Sequence, residues 1–305
     1  MYLNEFILPS AGIEEDLIKD RMTHNGGQYG YIDNTYPCGL FPNRDLQEIE
    51  FSRITIFYGG NGSGKSTLLN LIAQRLGLNR IAPFNSSELF ESYTETCNYV
   101  MGYDDEGFQH RIPNGSRIIT SDDIFDYMLT VRTNNAEVSE SIEEARNEWT
   151  NLRFGETVKM QSMDDYEALR MQVLARRKSV SRRQFIRQTA GTETELHSNG
   201  ETALEYFMQK VKNDTLYCLD EPENSLSPKL QLELKGLIEE KAHYCGCQFI
   251  MATHSPFLLA LEPDFTKIYD LDEEPIRNKP WWELENTRTY FKFFDSNKDL
   301  FEGGV

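Results

Sequence analysis

Four glycines, a lysine and three hydroxyls fall together in Gly59-Gly60-Asn61-Gly62-Ser63-Gly64-Lys65-Ser66-Thr67. Glycines let backbone N–H groups curl around phosphate oxygens without Cβ clashes, Lys65 can reach the β- and γ-phosphates, and the Ser66 hydroxyl can bind Mg²⁺. Two carboxylates, Asp220 and Glu221, end the apolar run Thr215-Leu216-Tyr217-Cys218-Leu219. Asp220 is suited to hold Mg²⁺, directly or through water, and Glu221 sits where a base could polarise an attacking water. His254 follows a third apolar run, Phe249-Ile250-Met251-Ala252-Thr253, and would point at the γ-phosphate and sense its presence or loss. The chemistry these groups can do together is ATP hydrolysis.

Three buried strands must carry them. Arg53-Ile54-Thr55-Ile56-Phe57-Tyr58 is β-branched and aromatic, and Leu68–Leu76 after the glycines reads as a helix. Strand, glycine loop, helix is the context the motif requires, and the helix N-terminus adds a positive end to the anion site. Open parallel sheets bind ligands at the carboxyl edge of their strands, which is where both Asp220–Glu221 and His254 would lie. The fold expected is α/β, a three-layer phosphate-loop domain.

A fourth segment, Leu196-His197-Ser198-Asn199-Gly200-Glu201, lies roughly 20 residues before Asp220. Ser198, Asn199 and Gly200 open the helical run Glu201–Phe207, so their N–H groups form a second anion site. Here the chain resembles the ATP-binding-cassette superfamily, whose signature has the form Ser-x-Gly-Gln/Glu at a helix start. Glu223-Asn224-Ser225-Leu226-Ser227-Pro228 looks like that superfamily's dimer loop. The resemblance implies that Ser198 and Gly200 contact the γ-phosphate held by the opposite subunit and that Asn224 to Ser227 line the dimer seam. It also implies that Glu221 is the base and His254 the switch. More closely, the chain is similar to small stand-alone bacterial AAA ATPases of the ABC type, relatives of the SMC, recombination-repair and overcoming-lysogenization-defect ATPases. The matching segments are Gly59–Leu69, His197–Phe207, Leu216–Leu230, Cys247–Leu259, Lys267–Leu271 and Trp281–Asn286, while Asn79–Gly191 matches least specifically. The implied assembly is a head-to-tail homodimer with two ATP–Mg²⁺ between the subunits. Such folds usually carry a glutamine where a strand enters the helical subdomain, and none lies there in this chain. Ser121 or Asp122 could substitute, Gln109 could act from elsewhere, or Ser121-Asp122-Asp123 is a simple helix cap.

Composition sets outer bounds. The chain has 305 residues and a net charge of −18, so generic attraction to nucleic acid or anionic membrane is not expected. Five scattered cysteines, Cys38, Cys97, Cys218, Cys245 and Cys247, form a reduced, cytoplasmic pattern. Cys245-Gly246-Cys247 lacks a second Cys/His pair for a metal. No apolar run approaches the ~18 residues of a membrane span. Met1–Leu8 lacks the pattern of a signal peptide and reads as an edge strand.

The chain divides into a nucleotide-binding lobe (1–120), a helical insertion (121–195), a lobe with signature, acidic strand and histidine (196–272) and an aromatic tail (273–305). Tyr36, Tyr29 and Tyr31 compete as the ring that stacks on adenine. In the insertion, an acidic stretch (Glu137 to Glu148) gives way to a basic island of Arg170, Arg176, Arg177, Lys178, Arg182, Arg183 and Arg187. That island is a solvated helix face, a phosphate sensor across the dimer, or a nucleic-acid contact. About 130 residues separate Thr67 from His197 without a sustained heptad seam, unlike SMC-type coiled coils. About fifty residues follow Pro256, too few for the nuclease of the overcoming-lysogenization-defect proteins. The tail's Trp281, Trp282, Tyr290, Phe291, Phe293 and Phe294 either pack on the sheet edge or dock a partner. The expected function is a soluble switch ATPase controlling a nucleic-acid-related or defence effector protein. The alternatives are the ATP-binding subunit of a transporter and an ATP-binding structural module with negligible turnover.

Overall fold

The computed structural model describes residues 1–24, 35–84, 86–104, 106–154, 166–176 and 198–302. Tyr29, Tyr31, His197, Arg177, Lys178, Arg182, Arg183 and Arg187 lie outside them. The chain forms two compact units, residues 1–124 with 199–305, and residues 125–198.

The first unit is built on a six-stranded sheet. Its strands are β3 (Ile54–Tyr58), β5 (Arg117–Thr120), β6 (Leu216–Asp220), β7 (Gln248–Ala252), β8 (Thr266–Asp270) and β9 (Arg277–Asn278). The order is β5-β6-β7-β3-β8-β9, parallel throughout except for the antiparallel edge pair β8–β9. All five residues of β3 and of β7 are buried, as strands covered on both faces must be. Alternation sorts the inward residues. Phe57, Cys218, Ile250 and Ala252 join the core built with Leu68, Leu69 and Ile72 of α2 (Lys65–Arg75). The intervening Tyr217, Leu219, Phe249 and Met251 are equally buried on the other face. That side belongs to α7 (Pro228–Tyr244), which packs on β7 and buries Leu234, Ile238 and Ala242. The result is the expected three-layer α/β fold.

A second, antiparallel sheet has the order β2-β1-β4, from β1 (Leu3–Ile7), β2 (Glu48–Glu50) and β4 (Asn98–Met101). The N-terminal strand is thus the middle strand and not an edge. Leu3 and Phe6 are fully buried, and both of its sides are paired. Gln248 ties this sheet to the larger one. Its buried Oε1 accepts the N–H groups of Tyr2 (3.0 Å) and Leu3 (2.9 Å), and its Nε2 donates to Leu3 O at 2.8 Å. Helices α1 (Ala11–His24) and α3 (Glu88–Thr96) meet through the buried Glu14, which accepts from Tyr93 Oη at 2.9 Å.

The second unit pairs the distal part of α4 (Ser121–Phe154) with α5 (Tyr166–Arg176). Arg153 donates to Ala175 O and Arg176 to Leu152 O, so each helix end caps the other's carbonyls. Three later helices, α6 (Asn199–Lys210), α8 (Pro256–Leu259) and α9 (Glu285–Ser296), return to the first unit. Past its first turn α9 is exposed, with Phe291 at 70% and Phe293 at 61% accessible. Its rings therefore do not pack on the sheet edge. Among the described residues no helix is long and apolar enough to cross a membrane.

Candidate functional site

The sheet order sets β6, β7 and β3 side by side, so three strand ends open on one edge. From β3 the chain turns into the glycine loop and α2. Gly59 has φ 155°, and a Cβ there would lie 2.6 Å from Ser63 Oγ, so only glycine closes this turn. Gly60, Asn61, Gly62 and Ser66 are exposed, while Gly59, Ser63, Gly64, Lys65 and Thr67 are buried. Lys65 Nζ donates to Gly59 O (2.8 Å) and Gly60 O (2.9 Å), and burial lowers its pKa. This cation meets carbonyls, and the carboxylates around it act on it only at longer range.

Ser66 Oγ donates to Asp220 Oδ1 at 3.0 Å, joining the loop to the end of β6. Burial, aided by Glu221 and Glu223 and opposed by the Ser66 hydrogen bond and Lys65, pushes Asp220 up to about 6. Glu221 takes a left-handed backbone, φ 48°, unusual for a residue with a Cβ. Its Oε2 accepts from Asn224 Nδ2 at 3.0 Å, and its Oε1 lies 3.7 Å from His254 Nε2. The loop, Asp220, Glu221 and His254 are therefore brought together. A cleft of about 410 Å³ lies over the loop and Glu221, lined in part by Tyr36, Asn61, Lys65, Ser66, Thr67 and Glu221. Tyr36 stacks on Phe90 with centroids 5.8 Å apart and shares a hydrogen bond with Thr67 Oγ1. Tyr36 therefore stands at the cleft, while the other two candidate rings, Tyr29 and Tyr31, lie outside the described residues.

Ser198 is exposed just before α6, and Gly200 is buried. A Cβ on Gly200 would meet Leu230 Cδ1 at 2.6 Å and Ser225 O at 3.1 Å. Gly200 therefore packs against the segment that follows the acidic pair. Asn224, Ser225 and Ser227 of that segment are exposed. Ser121 follows Thr120, which pairs with Asp220, and so stands at the same sheet edge with Asp122 next to it. Asp123 bonds Thr120 N and Ala82 N, making it the structural cap. Gln109 forms an isolated bridge with Tyr103.

Four neighbours take roles here that the sequence did not assign them. Glu223 Oε1 accepts from His254 N (2.7 Å) and Ser255 N (3.1 Å), and burial raises its pKa. Its repeat of a carboxylate two residues after Glu221 was the available signal. Asp272, past the end of β8 beside β3, accepts Gly60 N–H at 2.6 Å. Asn286 and Tyr58 bond each other next to His254, brought there by tertiary folding alone.

Residues 195–260 match the family model described as AAA domain, putative AbiEii toxin, Type IV TA system. The chain is similar to an AAA domain. The matched segment holds Ser198, Gly200, Asp220, Glu221 and His254. No curated protein sequence matches the chain. Among solved structures, cbiO1 from Clostridium perfringens, part of the ABC transporter complex cbiONQ, is 15% identical. That likeness covers 97% of this chain and 95% of that one, with a TM-score of 0.39. The SMC head domain from Thermotoga maritima is 16% identical, with 92% and 99% covered and a TM-score of 0.35. A nucleotide-free ATP-binding cassette from an ABC transporter is 16% identical, with 96% of each chain covered and a TM-score of 0.38.

The site's own residues fit ATP with Mg²⁺. Ser63 Oγ is buried in the loop with no hydrogen-bond partner among the described residues, and Lys65 is a buried ammonium on carbonyls. Burial, with two further carboxylates nearby, raises the pKa of Asp220, a shift that a bound cation would offset. Among the described residues no group of three or more His, Cys, Asp or Glu forms a metal site by itself. Mg²⁺ commonly completes its shell with substrate phosphates and water, which leaves one or two protein ligands to suffice.

Proposed function

We propose that the chain is an ATP hydrolase whose turnover switches a head-to-tail homodimer. The observation that carries this reading is the Ser66–Asp220 hydrogen bond of 3.0 Å, with Glu221 one residue on and 3.7 Å from His254. It joins phosphate loop, acidic strand end and histidine into one constellation.

Lys65 exchanges the Gly59 and Gly60 carbonyls for the β- and γ-phosphates, while the loop's N–H groups hold the remaining oxygens. Ser66 Oγ and Asp220 would hold Mg²⁺, which supplies charge neutralisation at the phosphates. Glu221, steadied by Asn224, orients a water and accepts its proton as that water attacks the γ-phosphorus in line. His254 stands beside Glu221 and reports the γ-phosphate to the rest of the chain. The exposed Ser198 and the start of α6 close on the γ-phosphate bound by the other subunit, with Asn224 to Ser227 along the seam. Loss of phosphate then removes a ligand shared by two chains, and the dimer opens. In this reading the switch serves an effector protein in a nucleic-acid-related or defence role in the cytoplasm. The basic island from Arg170 to Arg187 is the candidate contact to nucleic acid.

Phosphate release by the purified protein with Mg²⁺ and ATP tests the assignment. Glu221→Gln should retain ATP and slow turnover by roughly 10²–10⁴-fold, the usual worth of a general base. Turnover within about twofold of wild type would remove Glu221 from the role.

A further inference from the structure

The His254 peptide is gripped from two sides. Its N–H donates to Glu223 Oε1 at 2.7 Å, and its carbonyl accepts from Asn286 Nδ2 at 3.1 Å. Asn286 is the second residue of α9, and its own N–H donates to Tyr58 Oη at 3.0 Å. Tyr58 ends β3 directly before Gly59, and its ring stands edge-on to that of His254, centroids 6.5 Å apart. The first turn of α9 thus bonds two residues that border the phosphate loop and Glu221.

These contacts are more than a helix end seeking partners. A helix N-terminus presents orphan N–H donors, and the Asn286 N–H on Tyr58 Oη satisfies one of them. The side-chain amide of Asn286 donates outward to the His254 carbonyl and so satisfies nothing in its own helix. Among the described residues, the buried anchors at this end are Leu284 and Thr287. Farther along, the ring of Phe294 meets only that of Phe301 near the chain end, centroids 6.0 Å apart, besides its neighbour Phe293. From Arg288 to Ser296 every residue is exposed. A helix fastened at one end, with the fastening on the histidine, is placed to move with it.

We propose that Asn286 is a positioning residue for His254 and that it couples α9, with its exposed phenylalanines, to the nucleotide state of the site. The inference rests on the functional reading above. Asn286 holds the His254 carbonyl so that Nε2 stays turned toward Glu221, and any shift of that peptide on ATP binding or phosphate loss is passed to the first turn of α9.

The test uses the full chain with Asn286→Ala and with Asn286→Asp, which keeps the volume and removes the donor. Both should lower kcat by about tenfold, as small misplacements of a catalytic neighbour do. KM for ATP should change by less than about threefold, because the phosphate loop is untouched. Hydrogen exchange supplies a readout apart from turnover. In a Glu221→Gln background, amides of residues 288–296 should exchange at different rates with ATP and with ADP, and either Asn286 variant should erase that difference. Wild-type kcat in both variants, or an ATP-dependent difference that survives them, overturns the inference. So does a loss of activity that only follows a lost folded fraction. If wild type hydrolyses ATP and Glu221→Gln stops it while the Asn286 variants behave as wild type, this inference alone falls. Absence of hydrolysis by wild type overturns the functional reading and this inference with it.

Discussion

Asp220 lies between the Ser66 hydroxyl and the Glu221 carboxylate, and burial pushes it from an ordinary 3.8 up to about 6. Between those values the folded chain binds more protons than the unfolded chain. The contribution of Asp220 to the stability of the nucleotide-free protein is therefore fully present below about pH 4 and lost as pH rises through about 6. A shift of this size is worth up to about 3 kcal/mol. In Asp220→Asn the penalty is gone. Thermal melts in EDTA should show the variant more stable than wild type at pH 7.5 and equal to it at pH 4. Equal melting at both pH values would mean that no strained carboxylate waits there for a cation. At this scale the sequence was informative wherever chemistry follows chain order: Lys65, Ser66, Asp220, Glu221 and His254 each close or open an apolar run. Glu223, Asp272 and Asn286 were not legible, because their partners are 31, 212 and 32 residues away in the chain.

At the scale of elements, β3, β6 and β7 were readable because strands buried on both faces are unbroken apolar runs. Helix α1 was not. It mixes Glu14, Glu15, Asp16 and Lys19 among few apolar residues and buries Glu14, so no clear apolar face marks it. The placement of β1 as a middle strand depends on β2 and β4, which supply neighbours from distant parts of the chain. Gln248 fastens that sheet to β7 with three short bonds to the Tyr2–Leu3 backbone. Gln248→Leu keeps the bulk but strands the Leu3 N–H and carbonyl in the interior and leaves the half-buried Tyr2 N–H without this acceptor. It should cost about 2–6 kcal/mol, since the Leu3 N–H and carbonyl bonds are the buried ones and each buried orphan costs about 1–3. Urea unfolding measures this, and a midpoint unchanged from wild type would mean that the two sheets are held by packing alone.

At the scale of the whole molecule, the net charge of −18 opposes the approach of two chains, so in the proposed dimer ATP has to supply attraction. The account places the missing attraction in the nucleotide: each γ-phosphate would be bound by the phosphate loop of one subunit and the Ser198 helix end of the other. Ser198 is exposed, so a long side chain there is compatible with folding. As a plain helix cap, its loss would cost about 1 kcal/mol of stability and leave dimerisation alone. As a trans ligand, Ser198→Arg should leave ATP binding to the monomer nearly intact and fill the space the partner's phosphate needs. Mixed with Lys65→Ala protein, it would form heterodimers with one composite site carrying both lesions and one carrying neither, so some activity should return. The most direct measurement is light scattering of Glu221→Gln protein, with and without Ser198→Arg, before and after addition of ATP and Mg²⁺. The account predicts that Glu221→Gln doubles its mass with ATP and that the double variant stays monomeric while still binding ATP. ATP-dependent dimers that survive Ser198→Arg would contradict it.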